Sequence, residues 1–217
     1  DMGLDINGIC IPRGSGFLTG LQATLIWRSQ SWKKLEAMAS QEQLKAINDP
    51  VFCDLLAREA QKEDQRFDTR QIFWLGSDHT PNYTLDGSQS LQALADSAGE
   101  DPAETFLRIS RETEGKALFV IRFFNPNVEA LAEFLAMDWV MPGLGDAGAH
   151  VGQVMDAGWA TFTLSHWVRE KNLYPLPEAI RRMTSAPARI VGIKDRGIIK
   201  TGMKADLNII NYEKLSE

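Results

Sequence analysis

The stretch Gly143-Leu144-Gly145-Asp146-Ala147-Gly148-Ala149-His150 sets one carboxylate and one imidazole in a bed of glycines. A carboxylate held beside a substrate can take a proton from an attacking water and return it to a leaving group. Glycines on either side let backbone and substrate come close. An apolar run, Trp139-Val140-Met141, leads into the loop. Asp146 therefore stands just past the end of a buried strand, where parallel α/β architectures present catalytic groups. An Asp at this spacing also serves to cap a helix or to hold a Gly-rich turn. His150 lies four residues further on, and a lone loop histidine is commonly a packing or hydrogen-bonding residue. Asp146 and His150 alone are too few for zinc, which takes at least three protein ligands.

Other groups carry weaker signals. Arg122 and Asn125 follow the apolar run at 117–121. An Arg at a strand end can grip a substrate carboxylate in a bidentate fork, or form an ordinary salt bridge. His166 sits in a helical Leu-Ser-His-Trp-Val-Arg run, where packing is expected. Asp78 and His79 are adjacent in a polar loop and poorly placed to share a metal. Arg13-Gly14-Ser15-Gly16 lacks the Gly-Lys-Ser/Thr ending of a phosphate-binding loop. No serine has a Gly-x-Ser-x-Gly setting, so serine hydrolysis has no support. Cys10 and Cys53 read as buried thiols rather than a disulfide or a metal pair.

Several elements must position these groups. Residues 4–12 alternate well enough for a strand. Residues 31–47 read as one helix with Ser31 as N-cap, and 51–61 as another after Asn48-Asp49-Pro50. Gln71–Leu75 is a short strand, and Ser77–Gly87 an exposed loop. Helices follow from Leu91 and from Asp101-Pro102, the latter with Asp101 as N-cap. Ala117–Ile121 is a continuous apolar run, the mark of a strand buried on both faces. With a helix at 127–137 and the strand at 139–141 it reads strand–helix–strand, which suits a parallel sheet. Helices are expected at 161–171, 177–183 and from Ser185 to Gly192. Gly197–Lys200 and Ala205–Ile210 should pair as strands across a Thr201-Gly202 turn.

Composition narrows the function classes. The 217 residues are 44% apolar and 24% charged, ordinary for a soluble globular protein. A net charge of −6 with no basic stripe argues against a nucleic-acid binder. No run of 18 apolar residues suggests a membrane span. The opening residues have neither a basic nor a long apolar region, so no secretory leader is expected, and the expected compartment is the cytoplasm.

Taken in order, several blocks resemble metal-dependent amidohydrolases, and most closely the branch of N-acyl-D-amino-acid deacylases (D-aminoacylases). They are Cys10-Ile11-Pro12-Arg13 with Gly20-Leu21-Gln22, Gly143 to Gln153, Ser165-His166-Trp167-Val168-Arg169, Met183 to Arg189 and the closing Gly197 to Leu207. The resemblance implies an α/β fold: a partial (β/α)8 TIM barrel holding the C-terminal strands and helices. Residues 194–217 would be strands of the small amidohydrolase β-sandwich, and residues 1–193 the barrel part with inserted helices and a loop. It implies that Asp146 follows the last barrel strand, binds a divalent metal and takes a proton from the attacking water. It places His150 at the mouth of the site as a substrate contact.

The family's His-x-His pair, its mid-barrel bridging ligand and its two later histidines do not occur here. Gly145 stands where many relatives carry Ser. A full barrel takes about 250 residues. The chain is therefore expected to be the C-terminal part of a zinc-dependent enzyme that cleaves an amide C–N bond, with N-acyl-D-amino acids as substrates. Alone it is expected to be inactive, with an incomplete zinc site. It should self-associate or require the missing N-terminal half. One alternative is a non-catalytic barrel fragment or partner subunit. Another is a cyclic amidase like hydantoinase or dihydroorotase.

Overall fold

The computed structural model describes residues 3–216 apart from 65, 78, 79, 150, 151 and 155. The chain forms two compact units. One comprises residues 1–13, 128–147 and 156–217, the other residues 14–127 and 148–155.

The second unit is built on a three-stranded antiparallel sheet. Strands β2 (Ser15–Thr19), β3 (Ile72–Trp74) and β4 (Phe119–Phe124) lie in the order β2-β4-β3. Five helices accompany it: α1 (Gln30–Glu36), α2 (Ser40–Ala46), α3 (Pro50–Lys62), α4 (Leu91–Ala98) and α5 (Pro102–Glu112). Their caps follow the sequence. Asp49 accepts the Val51 N–H at 3.0 Å ahead of Pro50, and Asp101 accepts that of Ala103 at 2.9 Å ahead of Pro102. The core is aromatic: Trp27, Trp32, Phe106 and Phe119 are buried against one another, and the Trp32 indole N–H finds the Leu56 carbonyl at 2.9 Å.

Three expectations change in this unit. The single helix at 31–47 is two helices. The Gln43 side chain donates to the Leu35 carbonyl at 3.1 Å, and Glu42 accepts the Ala39 N–H at 3.3 Å, so the chain caps itself at the break. The apolar run at 117–121 does form a buried strand, but it is the centre of an antiparallel sheet. With β2 on one side and β3 on the other, β4 has no edge left for a parallel neighbour. The loop at 77–87 is not wholly exposed, because Tyr83 and Leu85 turn inward.

The first unit holds β1 (Gly8–Cys10) paired in parallel with β5 (Val140–Pro142), in the register Gly8↔Val140 and Cys10↔Pro142. With them are α6 (Leu131–Ala136), α7 (Trp159–Phe162), α8 (Leu176–Met183) and α9 (Ser185–Ile190). A π-helical stretch, Thr163–Glu170, continues α7. Hydroxyls compete for its backbone: Thr163 Oγ1 donates to the Trp159 carbonyl at 2.7 Å and Ser165 Oγ to that of Thr161 at 2.9 Å. The Trp167 indole donates to the Pro12 carbonyl and ties this helix to the end of β1.

The paired strands expected at 197–200 and 205–210 do not form; the tail is extended with no ladder. Its turn is present, with Met203 N–H on the Lys200 carbonyl at 3.0 Å across Thr201-Gly202. A two-stranded ribbon with nothing packed on its apolar face is marginal in water, and Ile199 and Ile209 are almost fully exposed.

Candidate active site

Asp146 lies in the loop that leaves β5, in the first unit. The loop begins where Gly143 N–H meets the Cys10 carbonyl at 3.0 Å, extending the β1–β5 pairing by one bond. The Asp146 side chain is exposed, so a substrate can reach it. Its backbone is not loose. The Asp146 N–H donates to Asp156 Oδ2 at 2.9 Å, and the Asp156 side chain is fully buried. The Trp159 N–H in turn holds the Asp156 carbonyl at 3.2 Å, at the start of α7.

Behind β5 stands Arg182 on α8, 3% exposed. Its Nη1 donates to the carbonyls of Leu135 at 2.7 Å, Met137 at 2.8 Å and Val140 at 3.0 Å. One guanidinium thus satisfies the end of α6 and the first residue of β5 together, a task suited to its fan of donors. Glu178 balances that charge at 2.6 Å. The ring of Tyr174 lies 4.9 Å under the Arg182 guanidinium, and burial pushes its phenol up to about 12.

The other sequence candidates fall elsewhere. His150, the expected substrate contact, lies outside the described residues, as do Asp78 and His79. Arg122 is fully buried in the second unit. Its guanidinium donates to the Leu85 carbonyl and, at 3.0 Å, to that of Tyr83, and sits 3.9 Å over the Phe73 ring. Gripping a substrate carboxylate would require those bonds to be given up, so Arg122 pins the 83–85 segment to the sheet. Asn125 ends the strand with φ of +53°. His166 is 4% exposed between Phe162 and Trp167, with Nδ1 at 3.2 Å from Glu170 Oε2. Burial lowers its pKa against the opposing pull of Glu170. Cys10 and Cys53 are free, half-buried thiols, each pushed up by burial. A cleft of about 600 Å³ in the second unit, lined by Ile47, Cys53, Glu100 and Arg111 among others, contains neither Asp146 nor Asp156.

Among the described residues no three His, Cys, Asp or Glu side chains converge. Zinc takes at least three protein ligands, so these residues do not by themselves fit a zinc site. Sequence reasoning proposed Asp146 and passed over Asp156 and Arg182. The first looks like a helix-starting Asp and the second like a surface charge four residues from Glu178.

Residues 75–216 match the sequence profile of the amidohydrolase family. The chain belongs to that family, and its resemblance within it is to the N-acyl-D-amino-acid deacylases. It is 36% identical over 61 residues to the N-acyl-D-glutamate deacylase of Alcaligenes xylosoxydans xylosoxydans, a match covering 27% of this chain and 12% of that protein. Among solved structures it is similar to the N-acyl-D-glutamate deacylase from Bordetella bronchiseptica complexed with zinc and a phosphonate inhibitor. The identity is 22% and the TM-score 0.35, covering 70% of this chain and 29% of that one. It is also similar to a D-aminoacylase with a binuclear metal centre, at 21% identity and a TM-score of 0.33, covering 80% and 36%. The chain thus spans well under half the length of these relatives. No helix among the described residues is long and apolar enough to cross a membrane.

Proposed function

We propose that this chain is the C-terminal part of a metal-dependent amidohydrolase that cleaves the amide C–N bond of N-acyl-D-amino acids. In it Asp146 is the proton-transfer group. The observation that carries this is the placement of Asp146: an exposed carboxylate just past a buried parallel strand, on a backbone held by a buried partner. There it takes a proton from the attacking water as the new C–O bond forms, and delivers it to the departing amine nitrogen as the C–N bond breaks. In this reading residues 1–193 belong to a TIM barrel and residues 194–217 to a small β domain. The exposed apolar tail supports that division.

Asp146 is the one acidic side chain of its loop offered to a divalent metal, with zinc the proposed ion. Because the described residues supply no third ligand, the remaining ligands must come from outside them, and the isolated chain should be inactive. His150 is kept as the proposed substrate contact.

The test is turnover by a protein of full family length, on N-acyl-D-amino acids, their L-enantiomers and cyclic amides of the hydantoin and dihydroorotate kind. Hydrolysis selective for the D-acyl substrates is expected. Preference for the cyclic amides would move the assignment to the cyclic amidases, and no hydrolysis of any of them would reject it.

A further inference from the structure

We propose that Asp156 is a positioning residue: its buried carboxylate fixes the backbone of Asp146 and so aims the catalytic side chain. This rests on the reading of Asp146 as the proton-transfer group and adds to it a residue that the sequence did not single out.

Three observations meet at this point. Asp156 Oδ2 accepts the Asp146 N–H at 2.9 Å, a side-chain acceptor on a backbone donor ten residues earlier. The Asp156 side chain is fully buried, so water does not compete for that oxygen. And residue 145 is the glycine against which that carboxylate packs. A Cβ there would stand 2.3 Å from Asp156 Oδ2 and 2.4 Å from Ile11 Cδ1, closer than real Cβ contacts come. Asp156 is itself anchored, since its carbonyl accepts the Trp159 N–H at 3.2 Å as α7 begins. The bond therefore joins the residue that leaves β5 to the residue that enters α7. Gly145 and Asp156 form one device: the missing side chain makes room for the carboxylate that holds the next residue. A carboxylate swung by about an ångström loses roughly 100-fold in rate, so the device bears on the chemical step and hardly on substrate affinity.

The experiment compares Asp156→Ala, Asp156→Asn, Gly145→Ala and Asp146→Asn in the full-length enzyme, with kcat and KM measured separately and folding checked by circular dichroism. Asp156→Ala and Gly145→Ala should each lower kcat by roughly 10- to 100-fold while KM stays within about threefold. Asp156→Asn keeps an oxygen that can accept the Asp146 N–H and should recover kcat to within about threefold of the parent. A folded Asp156→Ala enzyme with kcat near the parent value would overturn the proposal. So would an Asp156→Asn enzyme as slow as the alanine variant, because the hydrogen bond to the Asp146 N–H would then not be what matters. If Asp156→Ala does not fold, Gly145→Ala and Asp156→Asn decide by the same values. Full turnover by Asp146→Asn would reject the underlying reading instead. An inactive Asp146→Asn beside an unimpaired Asp156→Ala would reject only the positioning role.

Discussion

Arg182 Nε stands 2.6 Å from Glu178 Oε1, one helical turn away on α8, and this pair secures the strand that delivers Asp146. The same guanidinium carries three backbone carbonyls from α6 to β5. Replacing Arg182 by Ala leaves those carbonyls short of a donor. We expect a loss of about 3 kcal/mol or more in unfolding free energy, read as a lower urea midpoint of the purified chain. Lys in its place should recover little, since an ammonium cannot fan donors to three carbonyls and a carboxylate at once. An Arg182→Ala chain as stable as the parent would show that this packing is not needed.

The Glu178 carboxylate is held down to about 2, against an ordinary 4.5, chiefly by its hydrogen bond from Arg181 and also by that from Arg182. Its folded pKa is below its unfolded one. The stability it contributes is therefore full above about pH 4.5 and is lost as pH falls from there towards 2. Urea midpoints measured across that window should fall with acidification, and Glu178→Gln should flatten part of the slope. An unchanged slope in the variant would assign the acid sensitivity to other carboxylates.

Arg122 supplies a test of role as well as of stability. Its bonds to Tyr83 and Leu85 lie inside the second unit, under Phe73. Arg122→Ala should destabilise the chain by about 2–4 kcal/mol, through unsatisfied carbonyls and a cavity. In the full-length enzyme, Arg122→Lys should cost stability without a selective rise in KM. A large rise in KM with unchanged stability would instead return Arg122 to the substrate.

Part of this was legible in the sequence for a physical reason. Trp139-Val140-Met141 with its glycines announces a buried strand and a close-approach loop, because apolar continuity and missing Cβ atoms are local properties. The caps at Asp49 and Asp101 are local too. The tail at 197–210 misled for the same reason. Alternating Ile and Leu mark a strand that could be half buried, whether or not a sheet lies beside it. β4 reads as buried in any sheet, and nothing in its own residues says that both neighbours run antiparallel. Asp156 was invisible because its meaning is a single bond to a backbone N–H ten residues earlier. Arg182 looks like half of an exposed i,i+4 pair until the carbonyls of α6 and β5 are placed around it.

The most direct test of the account is the kcat of Asp146→Asn in a full-length enzyme hydrolysing an N-acyl-D-amino acid. Asparagine keeps the size of the side chain and removes its ability to take a proton. The account predicts a fall in kcat of about 100-fold or more, the scale of general acid–base catalysis. A variant turning over at the parent rate would contradict it.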